Sequence, residues 1–521
     1  MKKSYLVSTL LLLIITACVA GCKTPKTGST SRAPVYWPTS EWQTSTPEKQ
    51  GMASEKIADM IEYIMANSIP VHSMHIVRNG YLVTEAYFYP YNGTTVHDIA
   101  SVTKSVTSLL VGAAIKKGLI NDEYTLVRDF FPEYNEIFQD TLKEQMTIRD
   151  LLTMTSGLEL VTNDSTRSPF AEATLFDMFT QDDWLEYILT LPALYEPGTR
   201  FGYNSCNFHL LSLIMSRATG MKMADFAREN LFKPLGIKDF IWSEDPKGHN
   251  HGWGDLKLHP RDMAKIGFLF LNNGIWDGEK IIDPDWVVKS AQLQVDVPGP
   301  RGDINLDYSY GWWVISGKLN GIYEANGRGG QHIIVWPQQN LVVVFTGGGF
   351  DQGKIAEHLV ATISSQQVLP DNNTAYQDLQ DIINRAGEIP AGFAMVQFPP
   401  VAPVVSGKNL LLEENPLELE NINLTFTDPQ FAQLKMHRAG IEQLINIRMG
   451  RVYAISGSGA YDLPVGARAM WENDTTLCIE INEIANISNY NITAVFSRDK
   501  TTLSIYEPTL FAKPIVIKGV Y

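Results

Sequence analysis

The chain has 521 residues, a net charge of −15 and 45% hydrophobic residues. That length exceeds what one core holds, so two domains with tails are expected. The acidic balance, with no Lys/Arg-rich run after residue 30, argues against nucleic acid as a partner, because phosphates repel an acidic surface.

The N-terminus reads as a targeting segment. Met1, Lys2 and Lys3 give a positive start, and Leu6 to Ile15 is an apolar run too short to span a bilayer comfortably. Val19-Ala20-Gly21-Cys22 resembles a bacterial lipobox, in which the cysteine is lipidated and becomes the first mature residue. Ile15-Thr16-Ala17-Cys18 is a second candidate, and an ordinary signal peptide is the plainer alternative. Residues 1–22 are therefore expected to be a lipoprotein signal peptide. The lipid anchor would hold the protein to a membrane of the cell envelope, facing the periplasm or the surface. Residues 23–46 are expected to be a flexible tether, rich as they are in Thr, Ser, Pro and Lys.

Residues 47–368 alternate helical and strand patterns. Helical spacing marks Met52–Met65, then 101–117, 147–155, 181–190, 205–218, 223–230 and 260–272. Residues 72–89 read as a strand pair joined at Asn79-Gly80, a strong hairpin signal. Two late strands are expected at 308–315 and 331–346, with a last helix near 353–367. Strands at both ends with helices between them predict an α+β domain, its antiparallel sheet built from both ends.

Residues 369–404 are expected to be a linker. Pro370 to Asn373 breaks the pattern, 377–385 suggests a short helix, and Pro399, Pro400 and Pro403 follow. Residues 405–521 alternate with period two, as in Leu477/Ile479/Ile481 and Ile492/Ala494/Phe496, which predicts a small antiparallel β-barrel or sandwich. Trp471 beside Glu472 and Asp474 reads as a core tryptophan next to a polar turn. Two cysteines remain in the body, Cys206 and Cys478. A disulfide would have to join the two domains, and two buried free thiols are the simpler reading. His249, His251 and His259 match no helix-borne ligand pair, so no metal site and no cofactor are expected.

Chemistry is concentrated in three segments. Ser101-Val-Thr-Lys104 opens an apolar helix carrying Val102, Val106, Leu109, Leu110, Ala113 and Ala114 on one face. Serine needs a base within reach, and positions three apart share a helix face, so Lys104 would stand beside the Ser101 hydroxyl. A lysine sunk in an apolar wall loses part of its preference for the charged form. Ser-x-x-Lys arises about once or twice by chance in such a length, and context must decide. The second copy, Ser497-Arg-Asp-Lys500, is polar throughout and reads as a hairpin turn. Next, Pro197-Gly198 introduces Tyr203-Asn204-Ser205 at the mouth of an apolar helix, where a tyrosine can relay a proton if nearby cations lower its pKa; taken alone, Tyr203 reads as a packing residue. Finally, Arg328-Gly329-Gly330-Gln331 lies at the start of a strand, where glycines allow close approach of a ligand to the backbone; taken alone, they read as a bulge.

In order and content these motifs resemble the penicillin-recognising serine hydrolases. That family includes class C β-lactamases, D-Ala-D-Ala carboxypeptidases, related esterases and 6-aminohexanoate-dimer hydrolases. The resemblance covers about residues 50–365 and extends to 147–157, Leu258 to Gly267, Asn273-Gly274, Trp286-Val287, Pro337 and Leu341 to Val344. It implies a β-lactamase/transpeptidase-like fold with an added all-helical region. It also implies Ser101 as nucleophile, Lys104 as its partner and Tyr203 as the second proton carrier. The family's Lys-Thr-Gly strand falls on Arg328, Gly329 and Gly330, and the oxyanion would be held by the backbone N–H groups of Ser101 and Gln331. Two departures weigh against a β-lactamase. Ser205 stands where those enzymes carry asparagine and lacks its donor–acceptor pair. Arg328 stands where they carry lysine; it can fork onto a carboxylate but cannot relay a proton. The expectation is a cofactor-free serine hydrolase cleaving an ester or amide of a small-molecule or peptide-like acyl substrate. The alternatives are a β-lactamase or D-Ala-D-Ala carboxypeptidase, and a non-catalytic penicillin-binding sensor or adhesive lipoprotein. The C-terminal region resembles a lipocalin-like tail found after some of these hydrolase domains.

Overall fold

The computed structural model describes residues 36–159, 173–299, 301–302, 304–391, 397–438, 440–457 and 463–521. The expected signal peptide, with Cys22 and most of the tether, lies outside these residues. The helix Ser54–Ala66 (α1) is amphipathic, with Ile57, Met60, Ile61 and Ile64 wholly buried. Val71–Arg78 (β1) and Tyr81–Tyr87 (β2) pair antiparallel across Asn79-Gly80. Both turn residues take the positive φ that a tight hairpin requires, 51° and 85°.

Ile304–Tyr308 (β3), Trp313–Gly317 (β4), Tyr323–Gly327 (β5), Gln331–Trp336 (β6) and Leu341–Gly347 (β7) complete one antiparallel sheet. Its order is β2-β1-β7-β6-β5-β4-β3, so strands from the two ends of the domain meet at β1 and β7. The two late strands expected from sequence are thus four. Gly311, at φ 73°, turns the chain inside the apolar run 308–315, and Pro337–Gln339 turns it between β6 and β7.

The sheet is covered on both faces. Met74, Ile76, Val343 and Phe345 face α1. Val77, Ile333, Val342 and Val344 face a larger core containing Val102–Lys116 (α2), Ser205–Thr219 (α3) and Pro260–Leu271 (α4). Asn373–Gly387 (α5) belongs to the α1 side, with Leu379 and Ala386 buried there and the Tyr89 N–H donating to Ala386 O at 2.9 Å. The first half of the expected linker 369–404 is therefore part of the hydrolase core. The residue read as a break is a cap, since Asn372 Oδ1 accepts the Ala375 N–H. The tether 23–46 is likewise docked from Tyr36 onward. Trp37 packs on Phe268 and Trp276, and Trp42 Nε1 donates to Arg261 O at 3.1 Å.

The C-terminal strands are Asn409–Leu412 (β8), Leu419–Asp428 (β9), Phe431–Arg438 (β10), Ile441–Met449 (β11), Ala454–Gly457 (β12), Pro464–Asn473 (β13), Thr476–Glu483 (β14), Asn489–Phe496 (β15), Lys500–Tyr506 (β16) and Ile515–Val520 (β17). Nine of them close into a barrel, sealed where β11 runs parallel to β13 at Arg448–Arg468, with the short β12 at the seam. The expected alternation is present: Leu477, Ile479, Ile481, Ile492, Ala494 and Phe496 point inward to a separate core. The intervening Cys478 points outward, so the two cysteines of the body are one buried, Cys206, and one exposed, and no disulfide joins them. Ser497 lies in an exposed turn and donates its hydroxyl to Lys500 O. Among the described residues no helix is long and apolar enough to cross a membrane.

Candidate active site

The position of Ser101 is set by the three residues before it. The short strand His97–Asp98 ends in Asp98, whose Oδ1 accepts the Ala100 N–H at 2.7 Å and whose Oδ2 faces Lys257 Nζ at 3.3 Å. Ala100 then adopts the left-handed φ of 46°, an uncommon conformation for a residue with a side chain. This kink turns the chain sharply into α2 and leaves Ser101 as its N-cap residue. Its hydroxyl makes no capping hydrogen bond. Lys104, one turn further on, donates to Ser101 Oγ at 2.9 Å and to Trp253 O at 3.0 Å. Only 1% of Lys104 is exposed, so this amine is held among fixed partners rather than in solvent.

Tyr203 arrives from the segment before α3, which Asn204 caps by accepting the Cys206 N–H at 3.0 Å. Lys104 Nζ lies 4.9 Å from the Tyr203 ring centroid. The ring is braced by Trp313, nearly parallel at 5.8 Å, and edge-on by Tyr308 at 6.0 Å. Ser205 is the first residue of α3 and is buried.

Arg328, Gly329 and Gly330 form the turn between β5 and β6, with Gln331 opening β6. Gly329 and Gly330 both need the left-handed region, at φ 84° and 94°. Gly327 brings this hairpin end against the segment that leads into Ser101: a Cβ there would stand 2.6 Å from Ile99 O and 3.1 Å from Ala100 Cβ. The buried Gln331 side chain ties β6 to β7, with Nε2 donating to Gly347 O at 2.6 Å and Oε1 accepting the Gly347 N–H at 3.2 Å. The side chain is thus engaged in the sheet, and the backbone N–H is the group of Gln331 left to face the site. Arg328 Nη1 donates to Thr509 Oγ1 of the barrel.

The surroundings are rich in paired charge. Burial pushes Asp255 up, but the His251 hydrogen bond at 2.7 Å and the nearby Lys257 and Arg328 hold its carboxyl below the usual value. His251 Nδ1 is thus engaged by a carboxylate, and the ring stacks between Trp184 and Trp253. Among the described residues no group of three or more His, Cys, Asp or Glu is arranged to hold a metal ion. Sequence reasoning missed Trp253, Lys257 and Thr509. Trp253 acts through its carbonyl, which every residue has, and the other two are brought in only by tertiary packing.

A half-buried serine beside a buried lysine at a helix start, a braced tyrosine and a glycine turn between two central strands define a serine-hydrolase architecture of the β-lactamase/transpeptidase type. The chain belongs to the β-lactamase family, whose sequence profile, described as Beta-lactamase, matches residues 57–358, more than half of its length. It is 24% identical over 285 residues to the 6-aminohexanoate-dimer hydrolase of Paenarthrobacter ureafaciens, covering 52% of this chain and 70% of that relative. It is 26% identical over 211 residues to the N-acetylmuramyl-L-alanine amidase of Bacillus subtilis (strain 168), covering 37% of this chain but only 47% of that relative. Among solved structures, a Bacillus anthracis protein provisionally assigned as a 6-aminohexanoate-dimer hydrolase aligns with a TM-score of 0.50 and 20% identity, covering 68% of this chain and 90% of that one. That likeness is one of fold. The relatives matched are hydrolases.

Proposed function

We propose that this chain is a serine hydrolase that cleaves an ester or amide bond through an acyl-enzyme on Ser101. The observation that carries the reading is the Lys104 amine, buried and held between Ser101 Oγ at 2.9 Å and Trp253 O at 3.0 Å. In the first step Lys104 accepts the Ser101 proton as Oγ bonds to the substrate carbonyl carbon. The carbonyl electron pair moves to oxygen, and the N–H groups of Ser101 and Gln331 receive the oxyanion. The Ser101 N–H is one of the donors that a helix start leaves without an internal partner. The C–O or C–N bond then breaks as the leaving group takes a proton through Lys104 and Tyr203. Water attacks the ester on Ser101, passes its proton back along the same groups and releases the acid.

Ser205 and Arg328 support ester or linear-amide substrates over β-lactams, since neither supplies what asparagine and lysine offer in β-lactamases. One relative is by its name an amidase and another a hydrolase of a 6-aminohexanoate dimer, which is in keeping with this ranking. We place the protein in the cell envelope, anchored by a lipid on Cys22.

The test is covalent labelling with a fluorophosphonate, followed by turnover of short acyl esters, linear amides, D-Ala peptides and nitrocefin. Labelling at Ser101 with esters or amides turned over best is expected. No labelling, or a kcat/KM on nitrocefin above that on the best ester, would overturn the reading.

A further inference from the structure

Two turns of the barrel are sealed against the nucleophile's surroundings, although turns of a β-barrel ordinarily face solvent. In the turn between β14 and β15, Ala485 is 2% and Ile487 1% exposed; in the loop after β16, Glu507 is 0% and Thr509 5% exposed. The first turn reaches both flanks of the site. Ala485 O accepts the Asp98 N–H at 2.9 Å, three residues before Ser101. Ile487 Cγ2 lies over Gly329, occupying the place a Cβ would take, two residues before Gln331. The second turn supplies a hydrogen-bonded chain. Arg328 Nη1 donates to Thr509 Oγ1, and the Thr509 hydroxyl donates to Glu507, whose Oε2 also accepts the N–H of Thr509 at 2.9 Å and of Leu510 at 2.6 Å. Thr509 thus has both of its hydroxyl roles filled, one toward the hydrolase and one toward the barrel.

The need for such a clamp lies in the turn itself. Gly329 and Gly330 are adjacent, both at positive φ, and glycine carries no intrinsic preference that would hold them there. From the hydrolase side the turn is tied by the Gly349 N–H to Gly329 O at 2.8 Å, the Gly330 N–H to Gly327 O at 3.2 Å and Gln331 Nε2 to Arg328 O at 3.1 Å. None of these bonds holds the Arg328 side chain, which the barrel takes up, and Gln331 follows directly, so movement of the turn reaches its N–H. A displacement of about 1 Å in a reacting constellation costs on the order of 10²-fold in rate.

We infer that the barrel is a positioning element of the active site: Thr509, backed by Glu507 and assisted by Ile487, holds the Arg328-Gly329-Gly330 turn so that the Gln331 N–H keeps its place beside Ser101. The inference rests on the hydrolase reading for its catalytic meaning, and the clamp has a physical readout of its own. Arg328 on this account is a strut held by the barrel rather than a free fork for a substrate carboxylate.

The experiment uses the full chain and the variants Thr509→Val, Thr509→Ser, Glu507→Gln and Ile487→Ala. Amide hydrogen exchange of the peptide 326–332 is followed by mass spectrometry, with Ser101 labelling and kcat and KM on a short p-nitrophenyl ester measured alongside. Thr509→Val should speed exchange in that peptide by about 10-fold or more. It should lower kcat by a comparable factor with KM nearly unchanged, and Thr509→Ser should restore both. A variant that fails to fold is replaced in the comparison by Glu507→Gln or Ile487→Ala, which act on the same turn. Wild-type exchange and kcat in the folded variants would overturn the inference. A wild-type protein that neither labels nor turns over would sink the hydrolase reading instead, and the exchange data would still decide whether the barrel holds the turn.

Discussion

Lys104 Nζ donates to the carbonyl oxygen of Trp253 at 3.0 Å, joining the helix that Ser101 opens to a loop 149 residues further along the chain. The second acceptor fixes the direction of the amine toward Ser101. Lys104→Ala should cost on the order of 10³-fold or more in kcat/KM, as removal of a base acting as a unit with its nucleophile does. Ser101→Ala should abolish fluorophosphonate labelling without changing the melting temperature. Ser497→Ala, in its exposed hairpin turn, should change neither. Labelling at Ser497 would show that the motif has been placed on the wrong serine.

Tyr203→Phe keeps the ring on Trp313 and Tyr308 and removes only the hydroxyl. A fall in kcat of about 10²-fold or more is expected, within the range of general acid–base contributions. Stability should stay within about 0.5 kcal/mol of wild type, since the packing is retained. Unchanged kcat would reduce Tyr203 to a wall of the site.

The protein should lose stability on mild acidification. His97 Nδ1 donates to Asp98 O at 2.7 Å, so its Nε2 accepts from His72 Nδ1 at 2.8 Å when both rings are neutral. Tyr91 closes the row, its oxygen 2.8 Å from His72 Nε2 and 2.9 Å from Asn482 of the barrel. Protonating His97 would set two N–H groups face to face. Burial holds His97 down to about 4 against the opposing pull of Asp98, and holds His72 well below the usual histidine value. Both folded-state values are depressed, so the stability they contribute is complete above the unfolded value of about 6.5 and is lost as pH falls from there toward 4. Each unit of pH in that window costs up to about 1.4 kcal/mol per histidine. Melting temperatures across the window should fall in the wild type and fall less steeply in His97→Gln. Equal slopes would exclude this pair as the cause.

A chain ending at residue 370 should aggregate. It lacks α5, and with it the Leu379 and Ala386 contacts that cover α1 and β2. A chain ending near 390 retains that helix and should stay more soluble, while turning over ester more slowly than the full chain. Light scattering and circular dichroism of the two truncations check the ranking. A soluble, fully active 370-residue chain would mean that α5 and the barrel are dispensable.

Cys22→Ser should abolish incorporation of labelled palmitate and move the protein from the membrane to the soluble fraction. Unaltered fractionation would remove the lipid anchor from Cys22.

What the sequence made legible is what local spacing controls. Ser101 and Lys104 are one helical turn apart, so their meeting follows from α2 alone. The Asn79-Gly80 hairpin and the inward set of β14 and β15 follow from turn chemistry and period two. The misreadings have physical causes as well. The run Tyr308 to Ile315 is apolar apart from Ser309 and Gly311, and Gly311 is the residue in it that marks the turn between β3 and β4. Asn372 and Asn373 resemble a helix breaker because the same side chains serve as caps and as turn residues. The bond from Arg328 to Thr509 spans 181 residues and leaves no mark in either segment. It exists only because the barrel is seated against the end of the β5–β6 hairpin.

The closeness of Gly327 to Ile99 and Ala100 sets how near the β5–β6 hairpin end comes to the chain that leads into Ser101. A Cβ at position 327 would stand 2.6 Å from Ile99 O, a backbone atom, and 3.1 Å from Ala100 Cβ. Any larger residue there must push the hairpin end away from the start of α2. The spacing of the two segments that carry Ser101 and Gln331 is therefore gauged by a missing methyl group, with no titratable atom involved.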